Sequence, residues 1–315
     1  MKRSLVLGFA IVLLTSPAAR GVTRVTIGTG PWGGVFFPVG SALATLLNRY
    51  VADIQASAEP VEGSAHALEL VHTGQLTLAI VALGSAPERG RGDAPVDKRY
   101  DNAGFVMAAM DTGQTLVTLS DSGIRTYADI KGLRVAANTP ASSTLLLAAL
   151  RLYGVREADV QLTFMNYAEQ IAALREGTID AGFVPVRPYN ADVAGLASAT
   201  RIRVLGLDAT KAKAFDRSPA WTSVLVKART YQGQDADLVV PGSYTALLAH
   251  QNVDAALIYR IVKAIVDHGR AFGDLHPGGA DFTAAKTRFL VEHKLVPTAF
   301  HPGAERYWRE HGVLR

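Results

Sequence analysis

From Val25 onward the chain alternates short apolar runs with stretches in which apolar residues recur at helical spacing. The first run, Val25-Thr-Ile27, leads into Gly28-Thr-Gly30-Pro-Trp-Gly-Gly34-Val-Phe-Phe-Pro-Val-Gly40. Val39, Ala42, Leu43, Leu46, Leu47 and Tyr50 then repeat as one face of a helix, and Pro38 suits a first helical turn. The pattern predicts strand, glycine-rich loop, helix. Glycines let such a loop approach a ligand closely and adopt positive φ. A second helix is predicted from Gly63-Ser64 to Thr73, stopped by Gly74, with the strand Leu78-Ala-Ile-Val-Ala82 after it.

The same order returns later. Asp129-Ile-Lys-Gly132 precedes a predicted strand, Leu133-Arg-Val-Ala-Ala137. The polar loop Asn138-Thr-Pro-Ala-Ser-Ser-Thr144 leads into a helix from Leu145 to Tyr153, closed by Gly154. A helix around Glu169 to Glu176 stops at Gly177, and the strand Ala181-Gly-Phe-Val184 follows. Alternating strands and helices predict an α/β fold with largely parallel sheets. Two copies at long spacing predict two similar lobes and not a solenoid. The expected boundaries are 22–117 and 236–315 for a discontinuous first lobe and 118–235 for the second. The chain is expected to cross near Val117-Thr-Leu119 and to return along Leu238-Val-Val240. The apolar helix Ala255 to Val266 packs back as core. Two lobes joined by two crossings form a hinge around a cleft, a common place for a small ligand. The loop Glu88 to Arg99, rich in charge, Gly and Pro, reads as solvated.

Residues 1–18 change where the chain is expected to act. Lys2 and Arg3 precede Leu5 to Leu14, an apolar stretch short for a membrane span, and Ser16-Pro17-Ala18 offers a small-x-small cleavage site. This predicts export to the periplasm with cleavage near Ala18. The absence of cysteine excludes disulfides, thiolate metal sites and a lipid anchor, and a chain of this length buries enough core without them. The formal charge is +4, from 32 Lys+Arg against 28 Asp+Glu. Without Lys2 and Arg3 the balance is 30 against 28, too small and too evenly spread for nucleic acid or a polybasic membrane contact.

Catalytic motifs are weak. Gly28-Thr-Gly30-Pro-Trp-Gly33 fits G-x-G-x-x-G, with Asp53 twenty positions beyond Gly33. The helix predicted near Pro38 starts too late to present its amides to a pyrophosphate, and export removes the nicotinamide pool. Ser64 and His66 lack a G-x-S-x-G elbow, and His66 and His72 lack the H-E-x-x-H spacing. Neither catalysis, cofactor nor metal is expected. Anion binding has more support: Gly63-Ser64 and Ser142-Ser-Thr144 precede helices whose free N–H groups and dipoles attract negative charge. The same serines also read as simple N-caps. Arg187, after a buried strand and between two prolines, suits either a cleft-facing anchor or a surface salt bridge.

Four stretches carry a family resemblance: Gly28 to Gly40, Asp129-Ile-Lys-Gly-Leu-Arg-Val135, Glu176-Gly-Thr-Ile-Asp-Ala-Gly-Phe183 and Thr230-Tyr-Gln-Gly-Gln-Asp235. With the ending His301-Pro-Gly-Ala-Glu-Arg-Tyr-Trp-Arg-Glu-His-Gly312, they resemble TAXI-type solute receptors, the binding proteins of a subgroup of TRAP transporters. The resemblance implies a two-lobed type II periplasmic binding protein fold with a ligand cleft between the lobes. It also implies capture of a small organic acid by a monomer and delivery to a TRAP-type, ion-coupled membrane permease. Phe36-Phe37 stands where that family usually has Tyr-Tyr, Ala67 where it often has Asn, Thr77 where it often has Asp, and Ala141-Ser-Ser143 replaces Gly-Ser-Gly. In the expected site Trp32, Phe36 and Phe37 give apolar contact, and Gly33, Gly34, Gly63, Ser64, Ser142 and Ser143 donate hydrogen bonds. Arg187 grips a carboxylate through its planar fork. Thr29, Asn138 and Thr144 complete the set. The alternatives are a binding protein for an ABC importer, a ligand-sensing periplasmic subunit and, remotely, an exported NAD-dependent oxidoreductase.

Overall fold

A computed structural model of the chain describes residues 21–85, 100–217, 221–296 and 298–315. The expected export segment and the loop Glu88 to Arg99 lie outside the described residues. The first sheet has the order β2-β1-β3-β12-β4, built from β1 (Thr23–Gly28), β2 (Ile54–Glu59), β3 (Leu78–Ala82), β4 (Ala103–Ala108) and β12 (Thr245–His250). The second comprises β5 (Thr112–Leu119), β6 (Arg134–Ala137), β7 (Gln161–Phe164), β8 (Ala181–Arg187), β9 (Ile202–Val204), β10 (Thr222–Val226) and β11 (Leu238–Ser243). Its order is β10-β11-β5-β8-β6-β7, with β9 paired to β5. This is the two-lobed α/β fold of type II periplasmic binding proteins.

Each parallel unit follows from its pattern. Helix α1 (Phe36–Tyr50) buries Val39, Leu43, Leu46 and Leu47 between the parallel strands β1 and β2. The same strand-helix order recurs: α1 and α2 (Ser64–His72) follow β1 and β2, and α3 (Pro140–Leu152) and α4 (Tyr167–Glu176) follow β6 and β7. Gly177 ends α4 in the left-handed conformation, with φ 70°, where a side chain would be strained.

The expectation of largely parallel sheets needs correction. Strand β12 runs antiparallel to β3 and β4, and β5 runs antiparallel to β8, β9 and β11. Strands β5 and β12 pair with strands distant in sequence, so no strand-helix-strand crossover fixes them as parallel neighbours. The crossings also lie elsewhere than expected. The chain changes sheets at residues 109–111, between β4 and β5, and at Tyr244, between β11 and β12. Val117 and Val240 are buried in the core of the second sheet.

The C-terminal segment closes the first lobe. Helix α10 (Pro302–Glu310) lies on α7 (Ala255–Asp267), and a Cβ on Gly303 would stand 2.1 Å from the Ala255 carbonyl oxygen, so only glycine permits this approach. Trp308, fully buried, donates from Nε1 to the Val106 carbonyl at 2.7 Å. His301, also fully buried, caps α10: its Nδ1 accepts from Gly303 N at 3.1 Å, so Nε2 carries the proton and donates to the Val253 carbonyl at 3.1 Å. Burial lowers the His301 pKa, and the bond to Val253 offsets part of that. Burial lowers the His276 pKa as well.

The unfolded chain therefore binds protons on these rings before the folded chain does. The stability carried by the neutral rings is complete above the ordinary histidine pKa of about 6.5 and is lost as pH falls from there toward the depressed folded values. Thermal melts between about pH 7.5 and 5.5 should show a falling midpoint. His301→Asn keeps a capping acceptor but cannot titrate, so its midpoint should fall less steeply. Equal slopes for the two proteins would show that His301 does not supply this dependence.

Candidate ligand-binding site

A cavity of about 380 Å³ opens between the two sheets. The first lobe contributes the loop around Gly30, Pro31 and Gly34, the start of α1, residues Glu62 to His66 and Ala82. The second contributes Thr112 and Gln114 from β5, residues 138–140 and Ser142 at the start of α3, Tyr167 at the start of α4, and Pro185 from β8. Strand ends and helix starts thus converge there from both sides, as in open α/β sheets generally. Glu62 and His66 are the ionisable side chains on its wall besides the Tyr167 phenol, and neither lysine nor arginine lines it among the described residues. Burial pushes the Tyr167 phenol up, with an interaction with the Gln114 side chain pulling it partly back, so it stays protonated.

The helix starts around the cavity are not alike. Thr139 caps α3 through a reciprocal box with Ser142, and Asn166 caps α4 through one with Glu169. Helices α1 and α2 begin at Val35 and Gly63 with no side-chain cap. A helix start leaves N–H groups without intrahelical partners. At α1 and α2 those donors open on the cavity wall, where Val35, Phe36, Gly63, Ser64 and Ala65 stand. Thr112 adds a polar group: it is 2% exposed, and among the described residues its Oγ1 has no hydrogen-bond partner. Such an arrangement suits an anion held by dipoles and uncharged donors.

Six residues expected from the sequence line this cavity: Gly34, Phe36, Gly63, Ser64, Asn138 and Ser142. The others stand elsewhere. Thr29 is fully buried beneath α1, with Oγ1 donating to the Glu59 carbonyl at 3.0 Å. Trp32 is 62% exposed and packs against Phe37, their ring centroids 4.4 Å apart. With Gly33 they line a separate groove beside Tyr189 and Asp192. Gly33, at φ 76°, lets the loop reach the other lobe: its carbonyl accepts from Asn190 Nδ2 at 3.3 Å, and an added Cβ would lie 3.3 Å from Ala168 N. Ser142 and Ser143 serve their helix, Ser142 in the Thr139 box and Ser143 by donating to the Pro140 carbonyl at 2.7 Å. Thr144 is exposed.

Arg187 is not on the cavity wall, which corrects its expected role as carboxylate anchor. Its Nη1 lies 3.4 Å from Asp281 Oδ2 and donates to the Asp111 carbonyl at 3.2 Å. Lys286 bridges Asp111 at 2.9 Å and Asp281 at 3.6 Å. The guanidinium is thus committed to a salt-bridge cluster at the crossing between sheets. Thr112, Gln114, Tyr167 and Pro185 line the cavity without having been expected. Thr112 and Gln114 sit two apart on β5, which places both on one face, but nothing in the local sequence says which face meets a cleft. Tyr167 follows a legible cap, Asn166 with Glu169, whose position beside the loop depends on the other lobe.

Comparison with known proteins revises the family. The chain matches the NMT1-like family over residues 27–312. A 69-residue stretch is 39% identical to a protein of Escherichia coli (strain K12) named as aliphatic sulfonates-binding, and it spans only 22% of either chain. The alkanesulfonate-binding protein SsuA from Xanthomonas axonopodis pv. citri, solved bound to MOPS, superposes with a TM-score of 0.53 at 18% identity over 92% of this chain and 85% of that one. A protein of Listeria monocytogenes named as an L-cystine ABC transporter superposes with a TM-score of 0.52 at 15% identity over 83% of this chain and 98% of that one. These two likenesses are likenesses of fold.

The resemblance to TAXI-type TRAP receptors is overturned by the family match. The residues that carried it build the fold and do not identify a permease. Asp129 Oδ2 accepts from the backbone of Arg125 and Thr126, Arg134 pairs with Asp180 at 2.7 Å, and Gln234 Nε2 donates to the carbonyls of Lys227 and Ala236. His301 and Trp308 hold the last helix in place. With residues 27–312 matched, nearly the whole described chain is accounted for, and the protein belongs to the NMT1-like family.

Proposed function

We propose that the protein is an exported, periplasmic solute-binding protein of an ABC-type importer, and that its cavity takes a small organic anion, a sulfonate or a carboxylate. The observation that carries this is the pair of uncapped helix starts, α1 and α2, on one cavity wall. Each offers N–H donors backed by a partial positive charge of about half an elementary unit. Pro31, Val35, Phe36, Pro140 and Pro185 supply apolar surface for the rest of the ligand, and the volume suits a small molecule. Binding followed by delivery is the role, with no chemistry on the ligand. The aliphatic sulfonates-binding relative favours a sulfonate head, and the L-cystine ABC transporter favours an ATP-driven permease. Among the described residues no helix is long and apolar enough to cross a membrane, which agrees with a partner permease that supplies the membrane path. The two sheets would act as the lobes, hinged at residues 109–111 and at Tyr244.

Calorimetry against alkanesulfonates and short carboxylates tests the ligand class. Ala65→Pro removes one N–H from the first turn of α2, where proline is tolerated. A hydrogen bond to a charged group contributes about 1.5–3 kcal/mol, so the variant should bind its best anion about tenfold to a hundredfold more weakly. Its melting midpoint should change little. Undiminished binding would remove α2 from the site.

Arg187→Ala should behave differently. The guanidinium is paired with Asp281 outside the cavity, and Lys286 remains to hold that carboxylate. The affinity for the same anion should stay within about fivefold of wild type, under 1 kcal/mol. A loss of a hundredfold or more would return Arg187 to the site.

The permease can be tested in cells. Uptake of the bound anion should collapse on depletion of ATP and survive dissipation of the sodium gradient. The opposite pattern would overturn the ABC-type partner.

A further inference from the structure

Two buried acceptors on the second-lobe wall are left over once the anion has been assigned to α1 and α2. Thr112 Oγ1 and Gln114 Oε1 belong to residues that line the cavity, and neither atom has a hydrogen-bond partner among the described residues although each is shielded from solvent. Thr112 itself is 2% exposed. Buried polar groups in native proteins are nearly always paired, so two unpaired ones on a single strand call for a partner from outside the chain. A primary amide oxygen only accepts, and a threonine hydroxyl accepts as well as donates.

We propose that Gln114 and Thr112 form a donor-reading subsite: the natural ligand carries, besides its anionic head, an amino or hydroxyl group that donates to Gln114 Oε1 and Thr112 Oγ1. This rests on the anion-binding reading above and adds a second chemical requirement to it. An apolar tail placed against Gln114 would leave the amide oxygen desolvated and unpaired. A site built to bond a donor discriminates strongly against the analogue that lacks it. The discrimination is therefore one-sided, against ligands of the same size and head charge that end in a methyl group.

The experiment uses two triplets of near-equal size, each with one head group: taurine, isethionate and propanesulfonate, and glycine, glycolate and propionate. Calorimetry on the full-length mature protein should place the amino or hydroxyl member about tenfold to a hundredfold tighter than the methyl member in at least one triplet. In Gln114→Met and in Thr112→Val, checked for an unchanged circular dichroism spectrum, that preference should shrink to within about threefold, chiefly through weaker binding of the donor-bearing member. A methyl member that binds wild type as tightly as its partners overturns the subsite while leaving the anion-binding reading in place. So does a preference that survives in both variants. If no member of either triplet binds, and longer alkanesulfonates and carboxylates also fail, the anion-binding reading falls and the subsite falls with it.

Discussion

The clamp between the two chain crossings governs the rest of the molecule. Ala109 N donates to the Thr245 carbonyl at 2.9 Å, and Thr245 Oγ1 returns a hydrogen bond to the Met110 carbonyl. The segments that leave and re-enter the first sheet are thus tied to each other, not merely to their own lobes. Close approach here depends on glycine: a Cβ on Gly242 would stand 2.5 Å from the Thr112 carbonyl oxygen, and one on Gly113 would meet Val224 at the same distance. Directly beyond the clamp the chain enters β5, so Thr112 and Gln114 are delivered to the cleft wall. The Arg187, Asp281, Lys286 and Asp111 cluster sits at the same crossing and joins β8 to the last helices of the first lobe. Arg187 and its partners therefore serve the frame of the cleft, and among the described residues no lysine or arginine lines the cleft itself.

That division bears on how the proposed anion would be held. A guanidinium inside the cavity would bind charge strongly but would itself need desolvating. Uncapped helix starts provide fixed donors that carry no net charge and need no side chain to be ordered. Among the described α-helices, α1, α2 and the short helix Gly269–Leu275 start without a side-chain cap. Thr139, Asn166, Asn190, Asp208, Asp254, Thr283 and His301 each cap a helix with a side chain, whereas Val35 and Gly63 cannot. An apolar residue and a glycine at these two positions leave N–H groups exposed to the cavity where most helices of the chain are sealed. The donors from the first lobe and the acceptors Thr112 and Gln114 from the second then face a common space, so a ligand that satisfies both also joins the lobes.

The local elements were legible in the residues alone, because their causes are local. Period and punctuation located β3 at Leu78–Ala82, the left-handed stop at Gly177, α7 from Ala255, and the glycine loop before α1. The same signals placed Gly34, Phe36, Gly63, Ser64, Asn138 and Ser142 on strand-to-helix connections, and those connections are where the cavity lies. Which lobe a strand joins, and which face of it meets the cleft, is settled by long-range packing. β5 and β11 are apolar enough for either sheet, and their membership in the second is set by partners distant in sequence. Arg187 looked equally suited to a ligand or to a salt bridge until Asp281, ninety-four residues away, arrived beside it. Thr112 and Gln114 carry no local mark, because an unpaired acceptor is defined by the absence of a neighbour. That absence is a property of the packed chain and of no segment within it.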